Sequence, residues 1–151
     1  CTWACEPGSA GDAECERRAP GSRCVVTVYG YNLSDAGLPS AWVTPGVCLR
    51  GCQRNADCTM GRYCVAAPSI LDDRIDYVCA ANTRSPAGTT CTRSADCQSG
   101  LCISVPGAGA RCTTPCITDA DCPTAAPACS ALTLLRPVSG YDQPTRGCLP
   151  R

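Results

Sequence analysis

The sequence lacks the large apolar residues from which an ordinary protein core is built. It contains no Phe, one Met and seven aromatic residues in all (2 Trp and 5 Tyr) among 151 residues. Much of the remaining apolar fraction is Ala and Cys, whose small side chains do not fill a large core. We therefore do not expect a single globular domain built on Leu, Ile, Val and Phe, and another constraint must hold the fold.

Histidine is also absent, which removes the Ser-His-Asp, Cys-His and His-metal arrangements from consideration. No Cys-x2-Cys occurs either, and this spacing is typical of zinc ribbons, thioredoxin-like sites and haem attachment. Asp72, Asp73 and Asp76 form an acidic cluster, which we interpret as a solvated loop beside Arg74 rather than as a catalytic carboxylate pair. We therefore predict that the protein is not an enzyme and needs no cofactor.

The formal net charge is zero, because the sequence has thirteen basic residues, all of them Arg, and thirteen acidic ones. A chain without net charge has no field that draws it to nucleic acid or to anionic lipid. No stretch approaches the ~20 consecutive apolar residues of a membrane-spanning helix. We predict no nucleic-acid partner, and contact with a membrane only through a lipid on Cys1.

Cysteine is what the sequence has in excess, with 17 residues. A density above roughly 8 to 10% marks a disulfide scaffold, and such scaffolds persist in oxidising compartments. We therefore expect the protein to be exported to the extracellular space or the outer cell surface, with a signal peptide removed ahead of Cys1.

The cysteine spacing shows an internal repeat. One unit reads Cys48-x3-Cys52-x5-Cys58-x5-Cys64 and is followed by Cys79 after fourteen residues, and three other units vary the gaps. We divide the chain into four cysteine-rich repeats, residues 1–47, 48–78, 79–111 and 112–151.

An acidic residue precedes the third cysteine of each repeat. In three repeats a short polar residue and Ala come before it, a pattern that predicts a turn or a single helical turn capped by a side-chain oxygen. A calcium site built from Asp119 and Asp121 is the alternative, although these residues lack the dense oxygen spacing of a calcium loop. The acidic residues are Glu14, Asp57, Asp96 and Asp121.

Strand-like runs follow the fourth cysteine and return before the next one, as in Cys102-Ile103-Ser104-Val105 and Asp76-Tyr77-Val78-Cys79. Each repeat is thus expected to be a turn-rich knot followed by a small β-hairpin. The predicted fold class is small and disulfide-rich, with little regular secondary structure and four tandem repeats forming an elongated rod.

The stretch from Cys91 through Asp96-Cys97 to Cys102 resembles the cysteine-rich repeat of the Dickkopf amino-terminal region and of colipase-like modules, a type also found in bacterial surface proteins and lipoproteins. In that repeat, interleaved bridges tie alternate cysteines. The resemblance carries no signalling activity with it. It implies eight bridges, which are Cys5–Cys24, Cys15–Cys48, Cys52–Cys64, Cys58–Cys79, Cys91–Cys102, Cys97–Cys112, Cys116–Cys129 and Cys122–Cys148.

Cys1 has no partner in that scheme. An odd cysteine in an exported protein indicates a modified thiol, a free thiol or a bond between chains. Cys1 resembles the lipid-carrying terminal cysteine of bacterial lipoproteins, and a disulfide to a second subunit is the main alternative.

Three further features are candidates for contact with a partner. The aromatic residues are expected either to form small cores or to anchor a contact. Asn32 lies in a glycosylation sequon whose use depends on the host. The apolar run 131–135, if exposed, would mark a contact surface.

Two functions follow from these observations. The first is a structural subunit of a cell-surface or extracellular assembly, for example a fibre, whose partner is the protein itself. The second is a lipid-anchored binding module, an adhesin or inhibitor, that presents a hairpin tip to another surface protein. In the second case binding would concentrate in residues 25 to 47 or 130 to 147.

Overall fold

A computed structural model shows a small, cysteine-rich protein made mostly of strands and hairpins with little helix. It divides into two compact units, Cys1–Arg50 and Gly51–Arg151. The side chains of residues 9, 29–33, 39–43 and 69 are not described. The backbone is described for residues 3–6, 9–25, 29–33, 39–43, 46–59, 61–69, 73–136 and 139–151.

The unit Cys1–Arg50 combines one helix with two small sheets. Helix α1 has good helix formers, an acidic residue in its first turn and Arg17 and Arg18 in its last. The first sheet has the antiparallel order β1-β5-β2, and β3 pairs with β4 in the second. The elements are β1 (Ala4–Cys5), α1 (Ser9–Arg18), β2 (Ser22–Val25), β3 (Tyr29–Leu33), β4 (Pro39–Val43) and β5 (Gly46–Arg50).

The unit Gly51–Arg151 contains three antiparallel hairpins, each preceded by a single 3-10 turn. The turns are Asn55–Asp57, Ser94–Asp96 and Asp119–Asp121. The hairpin strands are β6 (Tyr63–Ser69) with β7 (Arg74–Ala80), β8 (Cys102–Val105) with β9 (Gly109–Cys112), and β10 (Ala128–Leu135) with β11 (Asp142–Leu149).

The interior of the described part is made largely of disulfides. Ten of its fourteen buried apolar residues are cysteines, and the other four are Val78, Ala87, Leu101 and Ala126. In the first unit, Trp3 packs against the buried cluster of Cys5, Cys15 and Cys48. Because disulfides fill most of the core, the fold does not need Phe or many large aliphatic residues.

Three cysteines that we used to open a repeat lie in the second strand of the hairpin before them: Cys48 in β5, Cys79 in β7 and Cys112 in β9. The structural break between the two units falls between Arg50 and Gly51.

Within Gly51–Arg151, the β6–β7 hairpin contacts two later parts of the chain. The β6–β7 hairpin contacts residue 99, through the Ala66 N–H that donates to the Ser99 carbonyl. It also contacts the β10–β11 hairpin, where Tyr77 meets Thr145. A rod with contacts only between sequence neighbours does not predict this second contact.

A glycine allows β11 to approach the segment 113–115 closely. Gly147 forms a bridge with Pro115, and a Cβ at Gly147 would lie 2.6 Å from Thr113 Oγ1. No helix in the described ranges has the length and apolar character needed to cross a bilayer.

Candidate functional site

The same arrangement of cysteines occurs four times along the chain, and we call it the clamp. Each clamp consists of two disulfides, and its Cα–Cα distances are 5.8 to 6.0 Å for the first bridge and 5.3 to 5.4 Å for the second. The structure brings the sixteen cysteines together in the alternate pairs of the resemblance. These pairs are Cys5–Cys24, Cys15–Cys48, Cys52–Cys64, Cys58–Cys79, Cys91–Cys102, Cys97–Cys112, Cys116–Cys129 and Cys122–Cys148.

The clamp holds both strands of a hairpin at its base. Cys64 lies directly opposite Cys79 in the β6–β7 register, yet neither bonds to the other. Each instead bonds to a cysteine of the preceding turn segment, Cys52 or Cys58. The same relation holds for the pairs Cys24 and Cys48, Cys102 and Cys112, and Cys129 and Cys148. Each hairpin is therefore fixed at its base by two covalent bonds.

Three sulfur atoms in each clamp lie within 4.8 Å of one another, a spacing that a metal ion could use. All of these sulfurs belong to disulfides. Because a thiolate is the form that binds a metal, the oxidised clamp offers no metal ligand. Its role is to cross-link the chain.

The acidic residue before the third cysteine caps its own turn. The Asp96 carboxylate accepts the Thr92 N–H at 3.0 Å and the Arg93 N–H at 3.1 Å. Asp57 and Asp121 do the same in their turns. These hydrogen bonds to the charged form, led by those from Gln53, Thr92 and Thr118, lower the carboxyl pKa of Asp57, of Asp96 and of Asp121, the last to about 2.

The first residue of the turn has a second capping role. Asn55 Oδ1 accepts the Cys64 N–H at 2.9 Å, and Asp119 Oδ1 accepts the Cys129 N–H at 2.8 Å. In the first repeat α1 replaces the 3-10 turn, and its Asp12 Oδ1 accepts the Cys24 N–H at 2.8 Å. The oxygens of Asp119 and Asp121 are thus engaged by N–H donors, in the capping arrangement rather than around a cation.

Arg54 connects two turns that are far apart in sequence. Its guanidinium donates to Asp57 at 3.2 Å and to Asp121 at 3.0 Å. The Asp121 side chain is 7% exposed at this contact. These partners, Asp121 first, raise the pKa of Arg54. Arg93, at the equivalent place in the third repeat, pairs with its local Asp96 and with no other carboxylate among the described residues.

The strands β7 and β11 contact each other through their side chains. Gln143 supplies both groups of an amide to Ile75, since its Oε1 accepts the Ile75 N–H at 2.8 Å and its Nε2 donates to the Ile75 carbonyl at 2.7 Å. Tyr77 and Thr145 join their hydroxyls two residues further along, and burial raises the pKa of Tyr77. We call these contacts, with the Arg54–Asp121 pair, the seam.

A groove of about 490 Å³ opens beside the seam, lined by Tyr77, Ile117, Pro115 and Pro144 among others. A second, more polar depression lies on the third repeat between Thr83 and Asp96. Both are candidate contact surfaces.

The apolar run 131–135 forms the upper half of β10 and alternates in exposure. Leu132 and Leu134 are half-buried, whereas Ala131, Thr133 and Leu135 are exposed. Leu135 is 66% exposed, and Tyr141, across the hairpin tip, is 73% exposed. Among the aromatic side chains that the structure describes, Trp3 and Tyr77 pack within their units, whereas Tyr141 lies at a surface. The side chains of Tyr29, Tyr31 and Trp42 lie outside the described part.

The acidic cluster of the β6–β7 tip is only partly described, because Asp72 lies outside the described residues. Asp76 is paired with Arg74 at 2.7 Å. Asp73 accepts the Ser139 N–H at 3.0 Å. These carboxylates are engaged in structural contacts rather than brought together as a pair.

Two other candidates fall on parts of the chain that are not described. Cys1 lies outside the described residues, and Asn32 belongs to β3, where only the backbone is described. The seam, in contrast, contains residues that sequence reasoning did not single out: Arg54, Ile75, Gln143 and Thr145. The recurring Arg-x-x-Asp of Arg54 and Arg93 was a visible signal for the local pair, but no sequence signal pointed to the partner 67 residues away.

The chain was compared with protein-family models, with curated proteins and with solved structures. None of the three comparisons finds a match.

Proposed function

We propose that this protein is a structural subunit of an extracellular assembly. The observation that carries the proposal is the clamp, which fixes a hairpin base covalently in each of the four repeats. Eight disulfides indicate an oxidising, extracellular environment. A framework of this kind resists unfolding and proteolysis, and its hairpins supply strands that can pair with another chain, because both strands of a two-stranded sheet are edge strands.

The leftover cysteine supports the same proposal. Sixteen of the seventeen cysteines are bonded to one another, so the given sequence holds no cysteine with which Cys1 could pair. In our proposal Cys1 forms a disulfide with a second copy of the chain. A covalent contact at Cys1 and a separate contact through a hairpin edge would together link copies into an open chain rather than a closed dimer.

The test is the association state of the oxidised protein, wild type against Cys1→Ser, by non-reducing electrophoresis and sedimentation over a concentration series. We expect disulfide-linked dimers in the wild type only, and reversible association at high concentration in both. A protein that stays monomeric at every concentration overturns the proposal.

The elongated rod of four repeats stays a prediction within this proposal. A compact chain of 151 residues has a radius of gyration of about 15 Å. Small-angle scattering of the monomer tests the rod, because an elongated arrangement gives a clearly larger value and a compact one gives a value close to this.

A second candidate is a lipid-anchored binding module that presents a hairpin tip. It is favoured by the exposure of Leu135 and Tyr141 on either side of the β10–β11 tip. Intact mass of the protein from its native source distinguishes the two functions. An acyl-glycerol on Cys1 supports the anchored module, and an unmodified chain released from dimers by reduction supports the structural subunit.

A further inference from the structure

The outer edge of β10 can be assigned from its hydrogen bonds. The Cys129 N–H donates to Asp119 Oδ1, and the Cys148 N–H donates to the Thr114 carbonyl. These two residues face each other in the register but point their backbone groups apart. Because pairing alternates along an antiparallel ladder, the N–H and C=O groups of Ala131, Thr133 and Leu135 also point away from β11.

The two edges of this hairpin differ. On β11, the Cys148 N–H donates a hydrogen bond to the Thr114 carbonyl, and Pro144 has no N–H to donate. The Gln143 side chain contacts Ile75 of β7. Proline on an edge is a common way to block strand addition. On β10, by contrast, the outward groups of Ala131, Thr133 and Leu135 have no hydrogen-bond partner within the described part of the chain.

Hydrogen bonds at Cys129 and at Arg136 mark the two ends of the open edge. At Cys129 it is occupied by Asp119, which accepts the N–H, and by Arg146, which donates to the carbonyl, and the tip begins at Arg136, whose N–H donates to the Tyr141 carbonyl. Between these ends lie six residues, Ser-Ala-Leu-Thr-Leu-Leu, with no charge among them. An uncharged, aliphatic edge strand lacks the devices that normally prevent pairing with another chain.

We propose that β10 pairs antiparallel with β10 of a second copy of this chain, around a two-fold axis at Thr133. This inference rests on the proposed function and names the surface that it uses. In this register the outward groups of Thr133 face those of Thr133 in the second copy, and Ala131 faces Leu135. Three hydrogen-bonded residue pairs would form.

The side chains favour this register. The run is nearly the same read in either direction, so Leu132 of one copy lies opposite Leu134 of the other, twice across the axis. Directly opposite aliphatic side chains stabilise paired strands. A shift of one residue would turn the leucines to the other face, so the pattern selects the register as well as the partner.

The self-complementary order of the run favours a second copy over an unrelated strand. Arg136 of the second copy would arrive opposite Ser130, beside the Asp119 carboxylate, which is already paired with Arg151 at 3.3 Å, and beside Arg146, which donates to the Cys129 carbonyl at 2.9 Å. The Asp119 side chain is 60% exposed. Symmetry makes this contact twice, at both ends of the paired strands.

The test uses Thr133→Pro in a Cys1→Ser background, which removes covalent dimers. Because the Thr133 N–H points outward, proline deletes the donor of the intermolecular pair without removing a hydrogen bond to β11. We expect dimerisation measured by sedimentation to weaken about 30-fold or more, since two hydrogen bonds are lost across the axis.

Ser104→Pro is the matched control. Ser104 is exposed on β8, and Cys112 opposite Cys102 donates outward to Thr89, so the Ser104 N–H also points away from its hairpin. We expect this variant to dimerise like its parent. Circular dichroism checks that both proline variants keep the fold.

Amide exchange of the parent protein gives a readout that needs no proline. We expect protection of the Ala131, Thr133 and Leu135 amides to rise with concentration, while that of the Ser104 amide does not. Association that is insensitive to Thr133→Pro, without this protection, overturns the β10 interface and leaves the structural-subunit function standing. A parent protein that never associates overturns both.

Discussion

The hydroxyls of Tyr77 and Thr145 lie 2.9 Å apart and join the β6–β7 hairpin to the β10–β11 hairpin. Their separation of 68 residues recurs between Ile75 and Gln143. The strands β7 and β11 thus run in the same direction with a constant offset.

Tyr77→Phe removes the hydroxyl contact but keeps the ring. We expect the free energy of unfolding to fall by about 1 kcal/mol, because one partly buried hydrogen bond is lost and the Thr145 hydroxyl loses its partner. Denaturation by guanidinium chloride under oxidising conditions measures the change. Tyr63→Phe is the control, since its hydroxyl has no hydrogen bond within the described residues, and an equal loss in both variants would contradict this role for Tyr77.

Gln143→Glu keeps the acceptor for the Ile75 N–H and replaces the donor to the Ile75 carbonyl with a carboxylate oxygen. Two acceptors then face each other, so we expect Glu to open the seam more than Gln143→Ala, which only removes the contact. The free energy of unfolding at neutral pH, from guanidinium chloride denaturation, measures this order. A lower free energy of unfolding for the Ala variant than for the Glu variant would be the opposite result.

Replacing Cys97 and Cys112 by Ala should destabilise the protein by about 3 kcal/mol in the chain-entropy account of a loop of this size. Their sequence separation is 15 residues, and both cysteines are buried. Thermal unfolding against the wild type measures the loss.

Access to reductant should follow burial within the same clamp. Cys91 and Cys102 are half-buried, whereas Cys97 is fully buried and Cys112 is 1% exposed. Because thiol attack needs access to a sulfur, we expect limited reduction and alkylation to label Cys91 and Cys102 first. Mass mapping of the labelled peptides gives the order, and earlier labelling of Cys97 and Cys112 would contradict it.

Acid should weaken the capped turns. The pKa values of Asp57, Asp96 and Asp121 are lowered by folding, so the native state binds fewer protons than the unfolded state. The stability that these carboxylates contribute is present above the ordinary carboxyl pKa of about 4. It is lost as the pH falls below that value, for Asp121 through its pKa of about 2.

Asp96→Asn tests this dependence, and Asp142→Asn is its control, because Asp142 is exposed at the start of β11 and has no hydrogen bond in the described ranges. We expect the urea midpoint of the Asp96→Asn variant to be lower than that of the wild type at pH 7 and to change less between pH 4 and pH 2. The same acid slope in wild type and both variants would show that the cap carries no charge dependence.

Much of the local structure could be predicted from the sequence, because it depends on local spacing. Cysteine intervals and the Asp-Cys phrase indicate the turn, and alternating residues around Cys102 and Cys112 indicate a hairpin. The ten-residue helix α1 was not expected, since the pattern at Glu14 resembled the other turns. There the longer gap before Cys15 gives the chain room for helical turns, and Glu14 and Arg18 support them as an i, i+4 pair.

The contacts between hairpins could not be predicted in the same way. No sequence pattern connects Gln143 with Ile75, because their contact depends on how two complete hairpins pack. The open edge of β10 likewise depends on which backbone groups point outward, and only the structure shows this, through the hydrogen bonds of Cys129 to Asp119 and of Cys148 to Thr114.

The clamp has a consequence for how such a chain can diversify. Because each pair of opposed cysteines is tied down at the hairpin base, no covalent bond reaches the tip, and the segments between them have 23, 14, 9 and 18 residues. Length and composition of a tip can therefore change without disturbing the turn, the caps or the bridges below it. The framework is suited to carrying exchangeable peptide segments, as a host for grafted sequences and as a substrate for rapid variation by insertion and deletion.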